Sequence, residues 1–307
     1  MGILRLGYVH MRVTDMAAAK KHYTQVLGLD PVLEDGGKVY LKAWDEWDHH
    51  SLVLEPGGTG VSKIGLKVAS ADDLDAIEAK SQAFGVTTSR MAKGENPEVS
   101  DGLRVILPNT LTMELYHGQT IVGTKVGDLN PQLSPREGTV GIGAPRMDHM
   151  LLGADDVAGT RKYFMDVLDF FQTECVVPDL DHQEVALATW LSVGNRGHDI
   201  AFIQGPGNDG KLHHLAWQVD GWEDLLRSAQ VLAMNDVPID FGPTQHGITR
   251  GKTMLFWDPT GNRDEVFAGG YAAERDRPTM VWTADQLARG IDALHRAVGE
   301  GTADVLT

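Results

Sequence analysis

PRMDHMLLGADDVAGTRKYFMDVLDF, residues 145–170, combines a short strand pattern, an Asp-containing turn and an amphipathic helix pattern. Within the helix pattern, Phe164, Val167 and Leu168 recur at the i, i+3 and i+4 spacing that gathers apolar side chains on one helix face. The stretch LRLGYVHMRVTDMAAAKKHYTQVLGL, residues 4–29, has the same elements in the same order. The chain therefore contains an internal repeat.

Two further pairs of segments extend the repeat. KIGLKVASADDLDAI (63–77) resembles HLAWQVDGWEDLLRS (214–228), a strand followed by a helix. LPNTLTMELY (107–116) resembles WDPTGNRDEVF (257–267), a Pro turn that leads into a strand with an acidic residue. A strand, a helix and further strands then recur four times, over residues 1–60, 61–120, 145–205 and 211–270. The pattern predicts an α+β fold of four βαβββ modules, paired into two similar domains. Paired modules curl their sheets into an open cup that can hold a metal ion or a small ligand.

The predicted domains are an N-terminal module pair without a metal site (1–135) and a C-terminal catalytic module pair (145–280). Residues 281–307 are predicted to form a C-terminal helix and tail. Residues 120–144 are rich in Gly, Pro, Thr and Ser and are typical of a linker. Within the tail, Thr283 and Gln286 form a capping-box signature ahead of a helical stripe of apolar residues, namely Leu287, Ile291, Leu294 and Val298. We expect this helix to contribute packing rather than chemistry.

The composition excludes several classes of protein. With 27 Lys and Arg against 43 Asp and Glu, the 307-residue chain has a net charge of −16, which disfavours binding to nucleic acid or to an anionic membrane. Cys175 is the only cysteine, so a disulfide framework, a thiolate zinc site and an iron–sulfur cluster are excluded. No apolar run approaches the roughly 18 residues of a membrane span. We expect a soluble cytoplasmic protein.

Three residues with metal-binding side chains occupy matching strand positions of the second half. His149 and His214 each lie near the start of a predicted strand, and Glu265 lies in a third strand after the DPTGN turn. Two imidazoles and one carboxylate suit a borderline divalent metal, and this set with open coordination positions is typical of non-haem Fe(II) oxygenases. The sequence therefore predicts a metal site in the C-terminal half.

The first half provides an internal comparison for this prediction. Its residues at the positions of His149, His214 and Glu265 are, respectively, Tyr8, Lys63 and Glu114. The carboxylate is kept and both imidazoles are absent. Because a residue that the fold itself requires would tend to occur in both halves, the asymmetry favours metal ligation over packing for the two histidines.

The sequence resembles the extradiol ring-cleaving dioxygenases of the vicinal-oxygen-chelate superfamily, which have a glyoxalase-like fold, and more closely the catechol 2,3-dioxygenases. The resemblance covers nearly the whole chain and is carried by these segments: VYLKAWDEWDHHSLVL (39–54), GKLHHLAWQV (210–219), WEDLLRSA (222–229), GPTQHGITRGKT (242–253), DPTGNRDEVF (258–267) and ADVLT (303–307). It implies that His149, His214 and Glu265 bind Fe(II), with Mn(II) a less favoured metal, and that the subunits form a homotetramer. The implied reaction is cleavage of catechol or a substituted catechol by O2 to a 2-hydroxymuconic semialdehyde-type product, in the degradation of aromatic compounds.

The resemblance also implies roles for residues around the metal. His198 in RGHDIAF matches the family histidine near O2, and His246 in QHGITRGKT matches the histidine that hydrogen-bonds the substrate oxygen. A histidine suits proton transfer because its pKa lies close to neutral pH. Trp190 and Ile248 fall where the family lines its aromatic pocket. His213, next to His214, is expected to point to the opposite face of its strand.

One position departs from the family pattern. The family commonly has a Tyr just before the aromatic residue that leads into the Asp-Pro turn, and its hydroxyl helps to hold the ionised catechol oxygen. Here the run is GKTMLFWDP, which places Leu255 at that position. Substrate deprotonation must then rely on the metal, His246 or water. We expect an altered substrate preference or rate.

Three alternative functions remain open at the level of sequence. A larger diol such as 2,3-dihydroxybiphenyl is a possible substrate. A hydrolytic or isomerising member of the superfamily would use its metal without O2, although the two histidines and one glutamate argue against it. A metal-free, drug-sequestering binding module is normally a single short module that pairs as a dimer, unlike this chain of four modules.

Overall fold

The computed structural model describes residues 2–124, 138–296 and 306–307. Four βαβββ modules follow one another along the chain, as the sequence predicts. The first consists of β1 (Ile3–Val13), α1 (Met16–Lys21) with a π-helical continuation (His22–Val26), β2 (Asp30–Asp35), β3 (Lys38–Lys42) and β4 (Leu52–Pro56). The second consists of β5 (Val61–Val68), α2 (Ala71–Phe84), β6 (Thr88–Met91), β7 (Gly102–Ile106) and β8 (Thr112–Tyr116).

The second half repeats this order of elements. Its first module consists of β9 (Met147–Ala154), α3 (Val157–Asp166), β10 (Phe171–Val177), β11 (Ala188–Ser192) and β12 (Ile200–Gln204). Its second module consists of β13 (Leu212–Val219), α4 (Trp222–Met234), β14 (Ile239–Gln245), β15 (Gly251–Trp257) and β16 (Arg263–Gly269). The chain continues with β17 (Met280–Thr283), a 3-10 turn (Ala284–Gln286) and α5 (Leu287–Ile291).

The Asp-containing turns of the sequence repeat start the helices. Asp15 caps α1, since its Oδ1 accepts a hydrogen bond of 3.0 Å from the Ala18 backbone N–H. Asp156 caps α3 in the same way, with a bond of 2.8 Å from Gly159 N–H. A side-chain oxygen at this position satisfies one of the N–H groups that a helix start leaves without a partner. The two halves therefore share the hydrogen bond that caps the helix as well as the hydrophobic pattern.

The strands form two mixed sheets of matching topology. The first has the order β2-β3-β4-β1-β5-β8-β7-β6, and the second has β14-β15-β16-β13-β9-β12-β11-β10-β17. The first strands of the two modules pair antiparallel at the centre of each sheet, β1 with β5 and β9 with β13. This order makes β9, β13 and β16 immediate neighbours, and these are the strands that carry the three predicted metal ligands.

The two halves share a continuous apolar core and several polar contacts. Gly60 N–H donates a 2.7 Å hydrogen bond to Asn262 Oδ1. Tyr23 Oη donates to Asp258 Oδ2 over 3.1 Å. The first sheet ends at Tyr116 and the second begins at Met147, while the division into domains 1–135, 145–280 and 281–307 stays a prediction.

The C-terminal region differs from the prediction. The capping box of Thr283 and Gln286 is present, but it starts a 3-10 turn, and the α-helix that follows has only five residues. Asp292 has extended backbone angles and ends the helix, which leaves Leu294 mostly exposed. Val298 lies outside the described residues. β17 also joins the second sheet by pairing in parallel with β10, so this region is an integral part of that half.

The end of the predicted linker packs against the first half. Ile142 is fully buried, and its N–H donates a 2.7 Å hydrogen bond to the Val26 carbonyl. Residues 125–137 lie outside the described residues. Among the helices that the structure describes, none is long and apolar enough to cross a membrane.

Candidate metal centre

The fold brings the three predicted ligands together at the centre of the second sheet. His149 Nε2 lies 2.9 Å from Glu265 Oε2, and His214 Nε2 lies 3.2 Å from the same oxygen. The two Nε2 atoms are 3.4 Å apart. All three residues are buried, and within the described part of the chain they form the single group of three or more such side chains with ligand atoms within 4.8 Å of one another.

The atoms of this cluster fit a divalent metal ion. Glu265 Oε2 is buried and has no hydrogen-bond partner of acceptable geometry, although two imidazole nitrogens face it. Burial alone would raise the pKa of Glu265, but His214 and His149 outweigh burial and hold it well below its ordinary value. Two nitrogens and an anionic oxygen that converge on one point are suitable donors for a borderline divalent cation.

Neighbouring polar groups orient the three side chains. His149 Nδ1 donates to Asp148 Oδ2 over 3.1 Å, and Arg196 Nη1 in turn donates to Asp148 Oδ1 over 3.0 Å. Thr253 Oγ1 donates to the second oxygen, Oε1, of Glu265. Such outer contacts fix which imidazole nitrogen faces a metal and how the ring is turned. Asp148 and Thr253 were not predicted, and for Asp148 the available signal was its place immediately before His149.

His213 contacts the candidate ligand instead of lying apart from it. Its Nδ1 is 2.7 Å from His214 Nδ1, and its Nε2 is 3.2 Å from Arg263 Nη1. The prediction of opposite faces was wrong because the pairing of β13 with β9 shifts register between Leu212 and His214. An irregularity of this kind breaks the strict alternation of side chains along a strand.

Replacing Asp148 by alanine is expected to weaken metal binding roughly 10- to 100-fold, the usual loss when the outer partner of a ligand histidine is removed. The His149 ring would lose the acceptor that holds its Nδ1. The measurement is the dissociation constant for Fe(II), or for Mn(II) as an air-stable probe, by competition with a chelator. Asp166→Ala, on the exposed side of α3, is the control. An unchanged constant for Asp148→Ala would contradict this role.

Two more histidines border the cluster. The His198 ring centroid lies 3.9 Å from that of His149, and burial, with a further contribution from His149, holds the pKa of His198 well below its ordinary value. His246 Nε2 lies 3.5 Å from Glu265 Oε1, and its Nδ1 donates a 2.5 Å hydrogen bond to the Ile291 carbonyl. His198 is therefore a neutral imidazole, while His246 keeps its Nε2 directed towards the cluster.

The cluster opens into a mainly apolar cavity of about 90 Å³. Trp190, Ile248 and Leu255, the three candidate pocket residues, all line this cavity. Leu255 pairs in register with Glu265 across β15 and β16, so it is next to a candidate ligand. Further apolar walls come from Leu151, Ala188, Ile203, Phe241 and Phe267. None of the described residues that line the cavity is a lysine or an arginine.

The C-terminal helix contributes to the cavity. Leu287, Gly290 and Ile291 of α5 line it with apolar groups, which is compatible with the expected packing role, and the Ile291 carbonyl accepts the hydrogen bond from His246 Nδ1. The sequence shows the apolar stripe of the helix, but the surface that a stripe covers depends on tertiary contacts. Here β17 pairs with β10, and α5, which follows β17 in the chain, lines the cavity.

The first half has filled the equivalent site with side-chain cations. Glu114 Oε2 accepts a 2.7 Å hydrogen bond from Tyr8 Oη and lies 3.0 Å from Lys63 Nζ. Arg104 Nη2 donates to Glu114 Oε1 over 2.7 Å. Lys63 and Arg104 thus compensate the buried carboxylate, whereas Glu265 in the second half faces imidazoles and the Thr253 hydroxyl but no lysine or arginine. Among the residues that the structure describes, Glu114 belongs to no group of three side chains that could hold a metal ion.

Comparison with known proteins agrees with this architecture. Residues 146–266 match the model of the Glyoxalase/Bleomycin resistance protein/Dioxygenase superfamily. The chain is 37% identical to a metapyrocatechase from Pseudomonas sp. (strain CF600), over 100% of this chain and 99% of that protein. It is 28% identical to a manganese-dependent 2,3-dihydroxybiphenyl 1,2-dioxygenase from Geobacillus genomosp. 3, over 94% of this chain and 93% of that protein.

A solved structure gives the same result for the fold. The 2,3-dioxygenase LapB from Pseudomonas sp. KL28 superposes with a TM-score of 0.88 at 38% sequence identity, covering 93% of this chain and 99% of that one. Similarity at this level over nearly the whole length covers both halves, including the half without the histidine cluster. The chain belongs to the extradiol dioxygenase family, whose members include the metapyrocatechases, within the Glyoxalase/Bleomycin resistance protein/Dioxygenase superfamily.

Proposed function

We propose that this protein uses O2 to cleave the ring of catechol or a substituted catechol beside its two hydroxyl groups, giving a 2-hydroxymuconic semialdehyde-type product. The observation that carries the proposal is the convergence of His149, His214 and Glu265 at the end of an apolar cavity bordered by His198 and His246. Membership of the extradiol dioxygenase family supports the same reaction.

We propose that His149, His214 and Glu265 hold Fe(II). When bound, this metal supplies Lewis acidity towards the diol oxygens and electronic coupling between the electron-rich ring and O2. The same donors also suit Mn(II), and one relative is described as manganese-dependent, so the choice of Fe(II) rests on the donor set and on the family resemblance. Burial alone would lower the pKa of His149, but the hydrogen bonds and charges of Asp148 and Glu265 outweigh burial and raise this pKa to about 9. Metal binding must therefore displace a proton, which makes it weaker at lower pH.

In this proposal the two flanking histidines handle protons at different places. His246 Nδ1 is held by the Ile291 carbonyl, so its Nε2 accepts a hydrogen bond from a substrate hydroxyl beside Glu265. His198 is neutral and packs against the His149 ring, where it can take up and return a proton next to the O2 position. The apolar walls exclude water, which strengthens these hydrogen bonds.

The walls of the cavity favour an uncharged ring substituent. Trp190, Ile248 and Leu255 offer mainly apolar contact surface, and no lysine or arginine among the described lining residues could pair with a carboxylate. A buried anion without a partner is strongly disfavoured, so catechol and alkylcatechols fit better than acidic derivatives. A larger diol such as 2,3-dihydroxybiphenyl stays the alternative substrate, and non-oxidative metal chemistry stays the alternative reaction.

The test is reconstitution with Fe(II) in the absence of oxygen, addition of catechol and then admission of air. A yellow ring-opened product is expected, and formation of product with 3- or 4-methylcatechol would support the apolar pocket. Absence of product from catechol, both methylcatechols and 2,3-dihydroxybiphenyl, despite one bound iron per subunit, would overturn the proposed function. Parallel loading with Mn(II) decides between the two metals.

The Leu255→Tyr variant is expected to lower the KM for catechol, or to raise its kcat, by about threefold to tenfold. A phenol at this position would stand beside Glu265 and donate to the ionised substrate oxygen, and a hydrogen bond to a charged group is stronger than a neutral one. Steady-state kinetics check the prediction, and Leu255→Phe controls for ring volume. Equal kinetics of the Tyr and Phe variants would show that this chain has no use for the hydroxyl.

We also propose that the subunits assemble as a homotetramer. Three exposed apolar side chains support self-association, namely Trp47, Ile121 and Val122. Their segments are joined by a 2.9 Å hydrogen bond from Val122 N–H to the Trp47 carbonyl. Exposed apolar patches commonly mark contact surfaces. Light scattering coupled to size exclusion is expected to give four subunits, and a monomeric mass would contradict the proposal.

A further inference from the structure

Glu174, on β10, is a fully buried carboxylate outside the metal centre. Its Oε1 accepts hydrogen bonds from Thr249 N–H over 2.6 Å and from Tyr271 Oη over 2.8 Å. Its Oε2 accepts one from Trp282 Nε1 over 2.6 Å. Because all three partners are donors, the arrangement suits the ionised carboxylate, which has acceptor sites only.

The three donors belong to three separate chain segments, and two of these segments carry or lead to residues that line the cavity. Thr249 lies in the loop between β14 and β15, which also carries His246 and Ile248. Tyr271 follows β16, and Trp282 lies in β17, which leads through the 3-10 turn into α5. One buried side chain therefore joins the His246 loop to the strand that precedes α5.

The His246 loop is strained and depends on external hydrogen bonds. Thr249 and Arg250 both have positive φ, 60° and 59°, a conformation that few residues other than glycine adopt. The loop is also bonded to α5, since the N–H groups of Gly247 and Ile248 both donate to the Gly290 carbonyl, over 2.9 and 3.0 Å. An acceptor for Thr249 N–H thus holds the backbone in a geometry that it would not adopt alone.

Tyr271, one of the three donors to Glu174, is itself in contact with two arginines. The Arg277 guanidinium lies 4.2 Å from the centre of the Tyr271 ring. The Arg250 guanidinium lies 5.6 Å from the centre of the same ring. Such contacts of a cation with a ring face hold the tyrosine and direct its hydroxyl. Glu174 is thus part of a built network rather than an isolated buried acid.

We propose that Glu174 is a positioning residue that fixes the His246 loop and α5 against each other, and so sets the substrate-binding geometry of His246. The proposal rests on the proposed function, because it assigns Glu174 a part in binding the catechol. Glu174 touches neither the cavity nor the metal cluster, so it acts through Thr249 and Trp282.

The central test is the Glu174→Gln variant. An amide keeps an acceptor for Thr249 and Tyr271 but directs an NH2 group at Trp282 Nε1–H, so two donors face each other. The KM for catechol is expected to rise about tenfold, the scale of one lost hydrogen bond to a charged group, with kcat changed less than threefold and metal content unchanged. Glu184→Gln, at an exposed position, is the matched control.

A second change gives the rescue. Trp282→Phe removes the opposing donor, so Glu174→Gln combined with Trp282→Phe is expected to have a KM within about threefold of Trp282→Phe alone. If both substitutions acted only by lowering stability, the KM changes of the two single variants would instead add in the double variant. Tyr271→Phe removes a single donor without creating a clash and is expected to raise KM only about threefold, which gives a milder variant should Glu174→Gln fold poorly.

Amide hydrogen exchange measures the same role without turnover. Faster exchange is expected in Glu174→Gln for peptides covering 246–250 and 284–291, with recovery in the double variant and no change around His149. If wild type turns over no catechol, the proposed function fails, while the exchange result still tests the link between loop and helix. Unchanged KM and unchanged exchange in an active Glu174→Gln enzyme would overturn the proposal for Glu174.

Discussion

Replacing His214 by alanine is expected to abolish stoichiometric metal binding and to lower catechol turnover by more than about 100-fold. The loss must exceed the 10- to 100-fold that follows removal of an outer partner, because a donor atom itself is removed. His149 and Glu265 would remain, but two donors do not hold a borderline cation against dilution and chelators. Metal content after gel filtration and the rate of catechol cleavage are the two measurements.

The internal repeat offers a matched control at the equivalent position. Lys63→Ala applies the same truncation in the first half, where Lys63 compensates Glu114 together with Arg104. This variant is expected to keep one metal per subunit and wild-type turnover within about threefold, with any cost confined to stability. Full metal content in His214→Ala, or loss of metal in Lys63→Ala, would contradict the assignment of the site to the second half.

His198→Phe is expected to lower kcat by about 100-fold or more while metal content and KM stay close to wild type. Proton transfer by a positioned side chain contributes about 100- to 10,000-fold, and a phenyl ring preserves the contact with the His149 ring while removing both nitrogens. The comparison needs single-turnover kinetics with O2 added to the preformed catechol complex, so that chemistry is separated from product release.

The control for this prediction is His182→Phe, which changes an exposed histidine hydrogen-bonded to Asp179. It is expected to leave kcat unaltered. A kcat within threefold of wild type for His198→Phe would show that His198 has no part in proton movement. In that case His246, or water, would have to supply the proton.

The periodic features of the fold were predictable from sequence because local rules fix them. Asp15 and Asp156 each precede a helical stripe and cap its helix, so the strand–turn–helix repeat has a local cause. His149 and His214 lie on the first strands of the two modules and Glu265 on the last strand of the second, and the sheet order makes these strands neighbours. Their convergence follows from the pairing of modules.

Features that depend on long-range contacts were not predictable. The register shift beside His213 depends on how β13 pairs with β9, which an alternating pattern does not encode. The length of α5 depends on its contacts with the His246 loop, and the apolar stripe alone overestimated it. Glu174 carries no sequence signal either, because its three donors come from distant parts of the chain.

The two halves show two ways of accommodating a buried glutamate in one fold. Glu114 faces Lys63 and Arg104, whereas Glu265 faces His149 and His214. Fixed side-chain cations occupy the first site, while the imidazoles of the second site can give up a proton and accept an external cation. Within one chain, the difference between a structural cluster and a candidate metal centre thus comes down to a few side chains.

The most direct test of the central claim is the stoichiometry and product of a single anaerobic-to-aerobic turnover. Protein loaded with one Fe(II) per subunit is mixed with catechol, a measured amount of O2 is added, and oxygen uptake and product mass are recorded together. We predict one O2 consumed per catechol and a ring-opened product heavier than catechol by both oxygen atoms, with cleavage beside the diol. Cleavage between the two hydroxyl-bearing carbons, or recovery of unchanged catechol with no oxygen uptake, would contradict the account.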